Sequence, residues 1–435
     1  MIRCQSDLSE KLMNSKYNFQ YFQGSSLSDL FAQDITDASY GFILNYPATA
    51  SWAAYPNRKK YFIQDGSSEA TKTSFDKICQ KEPWKNLAVL GEGIPGIVII
   101  PPPKLLLEYW QEHFGFNHSN IEMMDGSTYL DDLGRNERFD KLITLFPFDG
   151  LKPEKHAVDS DTHYRLLSKV TLDELGVQCP KYKTYNLHQV NLQDIQLPQF
   201  PYLIKTSHGL SGEGTYIIKS PSDLNYCLEE IRKYLAIKLL DTIIVSEFVK
   251  NEVQNYCVQF YVNKAGEITL IGTTGQLVTP EGNYLGGLID YRETDMSKFF
   301  EMIANVGQYA HKHGYFGVIG FDVLENQDGQ LFAIDANFRV NGSTSLCLQR
   351  HTLLRLGKGV AKYSGSYRME GTLESILITL KPELDRKDLI ILSALEKVKY
   401  GKIYTELYAI ATGETIEQMQ SIEQKLQNKG LQLLS

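Results

Sequence analysis

One segment of this chain, residues 317–344 (GVIGFDVLENQDGQLFAIDANFRVNGST), constrains the fold more than any other. Two runs of alternating apolar residues flank Asp328-Gly329, and this dipeptide between such runs is typical of a two-residue β-hairpin loop. A two-residue loop sets the register of the hairpin, and in this register Asp322 pairs directly with Asp335. The sequence therefore predicts a hairpin that carries two carboxylates side by side.

The two faces of the predicted hairpin differ in chemistry. Because side chains alternate along a strand, Asp335, Asn337 and Arg339 share one face, whereas the opposite face is apolar and includes Ile334. Directly paired residues have Cβ atoms about 5 Å apart, and two carboxylates at that distance repel by roughly 3 kcal/mol at an effective dielectric constant of about 20. A divalent cation with phosphate partners would remove this repulsion. A solvated face on which Arg339 balances one acid is the alternative.

A second informative segment is the glycine-rich stretch 206–214 (TSHGLSGEG), which follows the apolar run that ends at Lys205. Backbone N–H groups in such a loop, here around Ser211, Gly212 and Gly214, can donate to phosphate oxygens, and a lysine at the strand end adds positive charge. The stretch is not a Walker A loop, because no Gly-Lys-Ser/Thr opens a helix. A phosphate-binding loop and an ordinary hairpin loop both stay open on this segment alone.

A third candidate is Glu247, at the end of the apolar run 243–246. A carboxylate at a strand end can accept hydrogen bonds from an adenine amino group or a ribose hydroxyl. The same acid is equally compatible with a solvent-exposed position, and the local sequence does not separate the two.

Composition and charge argue against several classes of function. The 435 residues carry 44 Lys and Arg against 52 Asp and Glu, a formal net charge of −8. A broad nucleic-acid surface needs clustered positive charge, so nucleic acid is not an expected partner. No apolar run reaches the roughly 18–20 residues of a membrane span, and the first residues lack the apolar core of a secretory signal. Six scattered cysteines without a C-x-x-C pair favour neither zinc nor disulfides, so a cytoplasmic protein is expected.

The length fits two or three domains. Residues 1–150 mix short apolar runs with helical stretches and predict an α/β unit with a partly parallel sheet. The middle part, residues 151–350, holds the motifs above, and a helix over Asp161–Leu175, ended by Gly176, is predicted near its start. Residues 351–435 predict a small α/β unit.

Taken in order along the chain, these motifs resemble those of the ATP-grasp superfamily. The family pattern runs from a basic residue in a helix before a Gly-x-x-x-Pro turn, through a lysine with a glycine loop and a strand-end acid, to an acidic hairpin. The matching residues are Arg165 ahead of Gly176–Pro180, Lys205 with residues 211–214, Glu247, Asp322, Asp335, Asn337 and Arg339. Finer features are similar to the amino-acid and peptide ligases that carry an N-terminal pre-ATP-grasp domain, of the pheganomycin-ligase type.

The resemblance implies an α/β (α+β, ATP-grasp) fold in three parts. These are a Rossmann-like pre-ATP-grasp domain over residues 1–150, a two-subdomain ATP-grasp core over 151–350 and a small C-terminal α/β domain over 351–435. ATP would lie between two antiparallel sheets, with Mg²⁺, or Mn²⁺ in its place, as the metal cofactor.

The resemblance also implies which residues hold the nucleotide. Arg165 and Lys205 would bind the α- and β-phosphates, and Lys169, one turn after Arg165, is a rival for the first of these positions. The glycine loop would close over the β- and γ-phosphates. In this loop the implied phosphate contacts are Ser211, Gly212 and Gly214. The implied contacts to adenosine are Glu247 together with Glu252 or Asn255.

The hairpin residues take the metal and the chemistry in this resemblance. Asp322, Asp335 and Asn337 would hold magnesium, while Arg339 and Lys205 would be catalytic. The family commonly has glutamate where this chain has Asp335, one methylene shorter. Whether one or two metal ions bind is therefore left open.

The expected activity is that of an ATP-dependent ligase that activates the carboxylate of an amino acid or peptide as an acyl phosphate for attack by an amine. Three alternatives stay open: a ligase whose acceptor is the thiol of an acyl carrier protein, an ATP-binding module without turnover, and phosphorylation of a hydroxyl. The paired carboxylates and Arg339 argue against a pure binding module, because binding alone does not need them. The expected partners are small-molecule carboxylates and amines, without nucleic acid or membrane, and a homodimer is left open.

Overall fold

A computed structural model of the chain describes residues 17–46, 60–61, 80–123, 134–209, 212–236, 240–293 and 295–434. Its α-helices are α1 Leu27–Phe31, α2 Glu82–Leu87, α3 Lys104–Phe114, α4 Ser160–Leu166, α5 Pro221–Ala236, α6 Phe300–Lys312, α7 Thr344–Leu348, α8 Arg350–Arg355, α9 Leu373–Thr379, α10 Lys381–Asp385 and α11 Ile416–Asn428. Its strands are β1 Gln20–Tyr21, β2 Tyr40–Ile43, β3 Gly96–Val98, β4 Ile121–Met123, β5 Lys141–Thr144, β6 Tyr182–Asn186, β7 Tyr202–Thr206, β8 Thr215–Ile218, β9 Thr242–Glu247, β10 Glu252–Val262, β11 Ile268–Val278, β12 Tyr284–Asp290, β13 Gly317–Asn326, β14 Leu331–Asn337, β15 Val360–Glu370, β16 Leu389–Lys399, β17 Lys402–Gly413 and β18 Gln432–Leu433.

The N-terminal part contains a parallel sheet, as its apolar runs predict. Four strands pair in the order β4-β3-β2-β5, and each of the three pairings is parallel. All four residues of β2 are buried, which fits a strand covered on both faces. The mixture of parallel strands and helices confirms the α/β character expected of this part.

A second sheet, built by residues 182–247, is antiparallel and lies under one helix. Its strands pair in the order β6-β9-β7-β8. Helix α5 begins where the Ser220 side chain accepts a hydrogen bond from the backbone of Asp223 and so caps the helix. Cys227 and Ile231 of α5 are completely buried against the strands. This layer forms one wall of the site described below.

The third sheet is the largest in the described part of the chain. Ten strands belong to it, and its main path is β14-β13-β10-β11-β12-β15-β17-β16. The link between β12 and β15 is antiparallel and runs from Gly286 opposite Ser364 to Asp290 opposite Val360. The sheet is continuous from the central hairpin into the C-terminal segment and has no break near residue 350. The domain boundary between residues 350 and 351 therefore stays a prediction.

The helix predicted over Asp161–Leu175 is shorter in the structure. Helix α4 ends at Leu166, and the chain resumes as a 3₁₀-helix over Lys169–Leu175. The break falls at Ser168, whose extended backbone and side chain cap the second segment by accepting from Val170 N. Gly176 ends the 3₁₀-helix in the left-handed conformation, as predicted.

Membrane-spanning helices need about 20 consecutive, mainly apolar residues, and this sets the standard for the helices of the described residues. None of them combines the length and the apolar character that a membrane crossing requires.

Candidate active site between two antiparallel sheets

The central hairpin has the predicted pairing at its acidic residues. Asp322 lies opposite Asp335, and Gly320 lies opposite Asn337. The loop, however, has three residues rather than two, because Asn326 N donates to Gln330 O at 3.1 Å. The register shifts by one residue between Asp322 and Val323, where β14 has a β-bulge. The longer loop and the bulge offset each other, so the predicted pairing is correct although the predicted loop is wrong.

The bulge changes which side chain faces the core. The sequence places Ile334 on the apolar face, but in the structure Ile334 lines the cavity in front of the hairpin. Ala333 takes the core position and is 1% exposed. The Ile334 carbonyl accepts a hydrogen bond of 3.2 Å from Lys205 Nζ. The extra residue therefore gives the lysine an acceptor beside the acids.

The Asp322 carboxylate is held by amides and opposed by a second acid. Gln276 Nε2 donates to its Oδ1 at 2.6 Å, and Asn337 Nδ2 lies 3.5 Å from its Oδ2. Burial, followed by the negative charge of Asp335, raises the pKa of Asp322 to about 7. The repulsion expected from the sequence is therefore present in the folded chain.

Two lysines approach the acids from other elements, Lys169 from the start of the 3₁₀-helix and Lys205 from β7. Lys169 Nζ forms an ion pair of 2.9 Å with Asp335 Oδ2. Lys205 is 8% exposed, and burial lowers its pKa to about 8, an effect that the charge of Asp335 opposes. The site thus concentrates two ammonium groups against two carboxylates.

Arg339 lies just past the end of β14 and completes this group. Its Nη2 donates to Asn337 Oδ1 at 2.6 Å, and its Nη1 donates to Val340 O at 3.1 Å. The guanidinium also lies 5.1 Å from the centre of the Phe146 ring. Its buried Nε has no hydrogen-bond partner among the described residues.

Gly320 controls the position of Arg339 through Asn341. Asn341 Nδ2 donates to the Arg339 carbonyl at 2.8 Å. A Cβ atom added at Gly320 would lie 2.2 Å from that same Nδ2, closer than any non-bonded contact allows. The glycine is therefore required for the side chain that holds the Arg339 backbone.

These groups face a cavity of about 580 Å³ between the two antiparallel sheets. The smaller sheet contributes strands β7, β8 and β9, and the ten-stranded sheet contributes residues of its central strands. The polar residues already described that line it are Lys169, Lys205, Gln276, Asp322, Asp335, Asn337, Arg339 and Asn341.

Comparison with known proteins identifies this arrangement. Residues 180–337, which carry the smaller sheet and the acidic hairpin, match the family model described as L-aspartate–L-methionine ligase, ATP grasp. The chain contains an ATP-grasp domain.

Three solved structures with the same fold cover between 76% and 94% of the chain. N5-carboxyaminoimidazole synthetase from Staphylococcus aureus, in complex with ADP, is 13% identical, has a TM-score of 0.52 and covers 94% of this chain and 99% of its own. L-amino acid ligase from Bacillus licheniformis is 12% identical with a TM-score of 0.50, covering 76% and 96%. The biotin carboxylase domain of Hydrogenobacter thermophilus 2-oxoglutarate carboxylase is 11% identical with a TM-score of 0.51, covering 91% and 91%. At these identities the likeness establishes the fold.

The glycine loop of the ATP-grasp domain lies over the cavity. Gly212 has φ +92°, and a Cβ atom there would lie 2.8 Å from Gly282 O, so glycine is required on both counts. Gly212 lines the cavity, while Gly214 lies at the base of the loop, where its carbonyl accepts from Thr206 N at 2.7 Å. Ser211, a predicted contact, lies outside the described residues.

The predicted adenosine contacts lie together along the same cavity. Glu247 ends β9, Glu252 begins β10, and both line the cavity with Asn255. Burial raises the pKa of Glu252. The Asn255 Oδ1 atom is buried without a hydrogen-bond partner among the described residues, so it is available to a donor on a ligand.

The structure separates the two candidates for the basic residue before the turn. Arg165 does not line the cavity, and its guanidinium forms an ion pair of 2.5 Å with Glu174. Glu174 also accepts a hydrogen bond from Tyr309. Lys169 lines the cavity and contacts Asp335 instead. The break at Ser168 is what turns Lys169 toward the site.

Sequence reasoning missed a second group of lining residues at one end of the cavity. It consists of Tyr46, Lys81, Glu82, Lys85, Tyr284, Tyr363 and Tyr408. They come from the N-terminal part, the ten-stranded sheet and the C-terminal segment. No local pattern links them, and the one available signal is the spacing of Glu82 and Lys85, which suits an ion pair on a helix.

Proposed function

We propose that this protein is an ATP-dependent ligase that activates a carboxylate as an acyl phosphate and transfers the acyl group to an amine. The single observation that carries the proposal is the pairing of Asp322 with Asp335 in a cavity that also holds Lys169, Lys205 and Arg339. Acids and cations concentrated in this way suit a polyphosphate bound with a divalent cation. The match to an ATP-grasp ligase family supports carboxylate–amine ligation as the reaction class.

The residues present fit a magnesium ion, which ATP-grasp relatives bind together with ADP in the Hydrogenobacter thermophilus structure. Among the described residues, no group of three or more His, Cys, Asp and Glu side chains could hold a metal. The donors would therefore be the carboxylates of Asp322 and Asp335, the amide oxygen of Asn337 and phosphate oxygens. Asp335 is paired with Lys169, whereas Gln276 and Asn337, which hydrogen-bond to the Asp322 carboxylate, are neutral amides, so a cation between the two acids would be favourable. Magnesium would supply neutralisation of the phosphate charge.

The side chains of the cavity then divide the work of binding ATP. Lys169 and Lys205 bind phosphate oxygens, and the N–H groups of the loop around Gly212 close over the terminal phosphates. Asn255 Oδ1 and Glu247 accept hydrogen bonds from the nucleoside. Lys169 replaces Arg165 in this scheme, because Arg165 is paired with Glu174 outside the cavity.

In the first step a carboxylate oxygen attacks the γ-phosphorus, the bond to the bridging oxygen breaks, and ADP leaves. In the second step the amine nitrogen attacks the acyl carbon, phosphate leaves with the former carboxylate oxygen, and the nitrogen loses a proton. The Arg339 guanidinium stabilises the charge that spreads over the transferred phosphoryl group, since its planar fork can donate two hydrogen bonds at once.

The test is ADP release across a panel of amino acids, followed by trapping. With ATP, Mg²⁺, an accepted carboxylate and no amine, hydroxylamine should trap the acyl phosphate as a hydroxamate. Adding the amine should divert the acyl phosphate to an amide and lower the yield of hydroxamate. A stable phosphate ester in place of a hydroxamate would contradict the proposal. If amines left the hydroxamate yield unchanged and only a carrier protein with a phosphopantetheine thiol lowered it, by taking the acyl group from the acyl phosphate as a thioester, the acceptor would be that thiol rather than an amine.

A further inference from the structure

Helix α4 contacts both the glycine loop and the end of the acidic hairpin through two buried histidines. His163 lies on the helix itself, and His208 lies in the loop and packs on the helix. Their exposed fractions are 3% and 7%, and neither lines the cavity. Burial lowers the pKa of each histidine to about 4, so at neutral pH both rings are uncharged and each has one N–H donor and one acceptor nitrogen.

The first contact fixes the start of the glycine loop on helix α4. The His208 ring stacks on the Tyr164 ring, with the ring centres 3.8 Å apart and the planes at 2°. His208 Nε2 donates to the Tyr164 carbonyl at 2.9 Å, and Nδ1 accepts from the Ser207 hydroxyl at 3.0 Å. The Ser207 carbonyl accepts in turn from Lys169 N at 2.9 Å. The beginning of the loop is therefore bonded both to the helix and to the 3₁₀-helix that follows it.

The second contact holds the backbone beside Arg339. His163 Nε2 donates to the Phe338 carbonyl at 2.8 Å. The His163 ring lies 5.8 Å from the Tyr315 ring, which lies 5.3 Å from the Phe338 ring. Phe338 is completely buried and directly precedes Arg339. Its carbonyl is therefore a fixed point of the chain that carries the guanidinium.

The two contacts leave the helix at adjacent residues and reach different sheets. The glycine loop follows β7 of the smaller sheet, whereas Arg339 follows β14 of the ten-stranded sheet. A phosphoryl group in transfer has to contact the loop and the guanidinium at the same time. An apolar ring could fill the space of either histidine, but only a directed hydrogen bond fixes the position of a backbone carbonyl. Helix α4 is thus bonded to both groups between which the phosphoryl group would lie.

We infer that helix α4 holds the glycine loop and Arg339 at a fixed separation, with His208 and His163 as the positioning residues. This inference rests on the proposed function, which assigns the terminal phosphates to the loop and the transferred phosphoryl group to Arg339. Neither histidine touches the nucleotide. Loss of the His208 contacts should therefore weaken the binding of the phosphates, whereas loss of the His163 contact should slow the transfer.

The first measurement compares the Kd for ATP with the Kd for AMP, both with Mg²⁺, because AMP lacks the phosphates that the loop would cover. His208→Phe keeps a ring on Tyr164 and removes both ring hydrogen bonds. The ratio of the Kd for AMP to the Kd for ATP should fall about tenfold in this variant, the effect of about one lost hydrogen bond, while the Kd for AMP stays unchanged. His208→Gln, which keeps a donor for the Tyr164 carbonyl, should recover most of the native ratio.

The second measurement separates binding from transfer by following hydroxamate formation with an accepted carboxylate. His163→Phe should lower kcat at least about tenfold, since a small displacement of a catalytic group is costly, and should leave the KM for ATP and the nucleotide ratio unchanged. His163→Gln should restore part of the kcat, because its amide can donate to the Phe338 carbonyl.

The matched control is His113→Phe in helix α3. The His113 ring stacks on the Tyr109 ring at 4.0 Å, and its Nδ1 lies 3.0 Å from the Tyr109 carbonyl, a local arrangement like that of His208 on Tyr164. His113 does not line the cavity. Both the nucleotide ratio and kcat should stay native in this variant.

The outcomes separate this inference from the proposed function. An unchanged ratio in His208→Phe, equal weakening of AMP and ATP binding, or a loss of kcat in His163→Phe no larger than in His113→Phe would overturn the inference and leave the ligase activity standing. Where the melting temperature shows a phenylalanine variant to be unfolded, leucine at the same position takes its place with the same expectations. A native protein that releases no ADP and forms no hydroxamate with any carboxylate would overturn both.

Discussion

Replacing Gly320 by alanine should separate the placement of Arg339 from the binding of ATP. The new Cβ atom would lie 2.2 Å from Asn341 Nδ2 and 2.6 Å from Asn341 Cγ. The Asn341 side chain must therefore move by more than an ångström, and its 2.8 Å hydrogen bond to the Arg339 carbonyl breaks. Strand pairing at Gly320 itself can persist, because alanine is tolerated in extended backbone.

The expected loss of unfolding free energy in Gly320→Ala has two contributions. Overpacking of a tight contact costs about 1–3 kcal/mol of unfolding free energy, and the lost hydrogen bond adds about 1 kcal/mol. A displacement of about 1 Å in a catalytic group lowers kcat by about 10²-fold. The Kd for ATP should change little, because Lys205 and the glycine loop belong to the smaller sheet and Lys169 to the 3₁₀-helix over Lys169–Leu175.

The assay combines thermal unfolding, nucleotide titration and hydroxamate formation. Gly134→Ala is the matched control, since a Cβ atom there meets nothing within 4 Å. Gly320→Ala with Asn341→Ala should be more stable than Gly320→Ala alone, because the clash is gone, while kcat stays low because nothing holds the Arg339 carbonyl. Native stability and kcat in Gly320→Ala, or a double variant whose losses simply add, would refute the argument.

Four further predictions concern the ATP-grasp site. Asp322→Asn or Asp335→Asn should abolish magnesium-dependent ADP formation, and near-native turnover in both would exclude a metal role. Asp322→Asn should not lower the melting temperature, because it relieves a repulsion, whereas Asp335→Asn also breaks the ion pair with Lys169. Arg339→Lys should lower kcat by about 10²-fold with a smaller change in the KM for ATP, and a change in KM alone would assign it to ground-state binding. Because its lowered pKa of about 8 lets Lys205 lose its proton as pH rises, ADP affinity should fall about tenfold from pH 7 to pH 9. Lys205→Arg should remove this dependence, and a flat native profile would contradict it. Amide exchange at residues 212–215 should slow when ATP and Mg²⁺ bind, and an unchanged rate would indicate an ordinary hairpin loop.

The sequence was sufficient for the acidic hairpin but not for its details. Alternation and the Asp328-Gly329 dipeptide predict that Asp322 and Asp335 pair, and this is confirmed. The three-residue loop and the bulge at Ile334 carry no sequence signal of their own, since either is compatible with the same alternation. Their effects on the register cancel at Asp322 and Asp335, so the pairing of the acids is predicted correctly. They do not cancel at Ile334, which the alternation places on the apolar face but which lines the cavity instead.

Other parts of the site depend on tertiary structure that a linear pattern does not contain. The choice between Arg165 and Lys169 follows from a break at Ser168, which a short-range hydrogen bond creates within an otherwise helical pattern. The second group of lining residues joins Tyr46 with Tyr408, and nothing in the spacing of two distant tyrosines predicts that they line the same cavity.

The antiparallel link between β12 and β15 has a consequence for any attempt to shorten or recombine this protein. If the chain were cut after residue 350, β12 would become an edge with a row of unpaired N–H and C=O groups, ready to pair with another molecule. A fragment of this kind should aggregate. Chimeras that exchange the C-terminal segment with that of a relative would need to preserve the pairing of Gly286 with Ser364, because a slip of one residue would invert every side chain of β15.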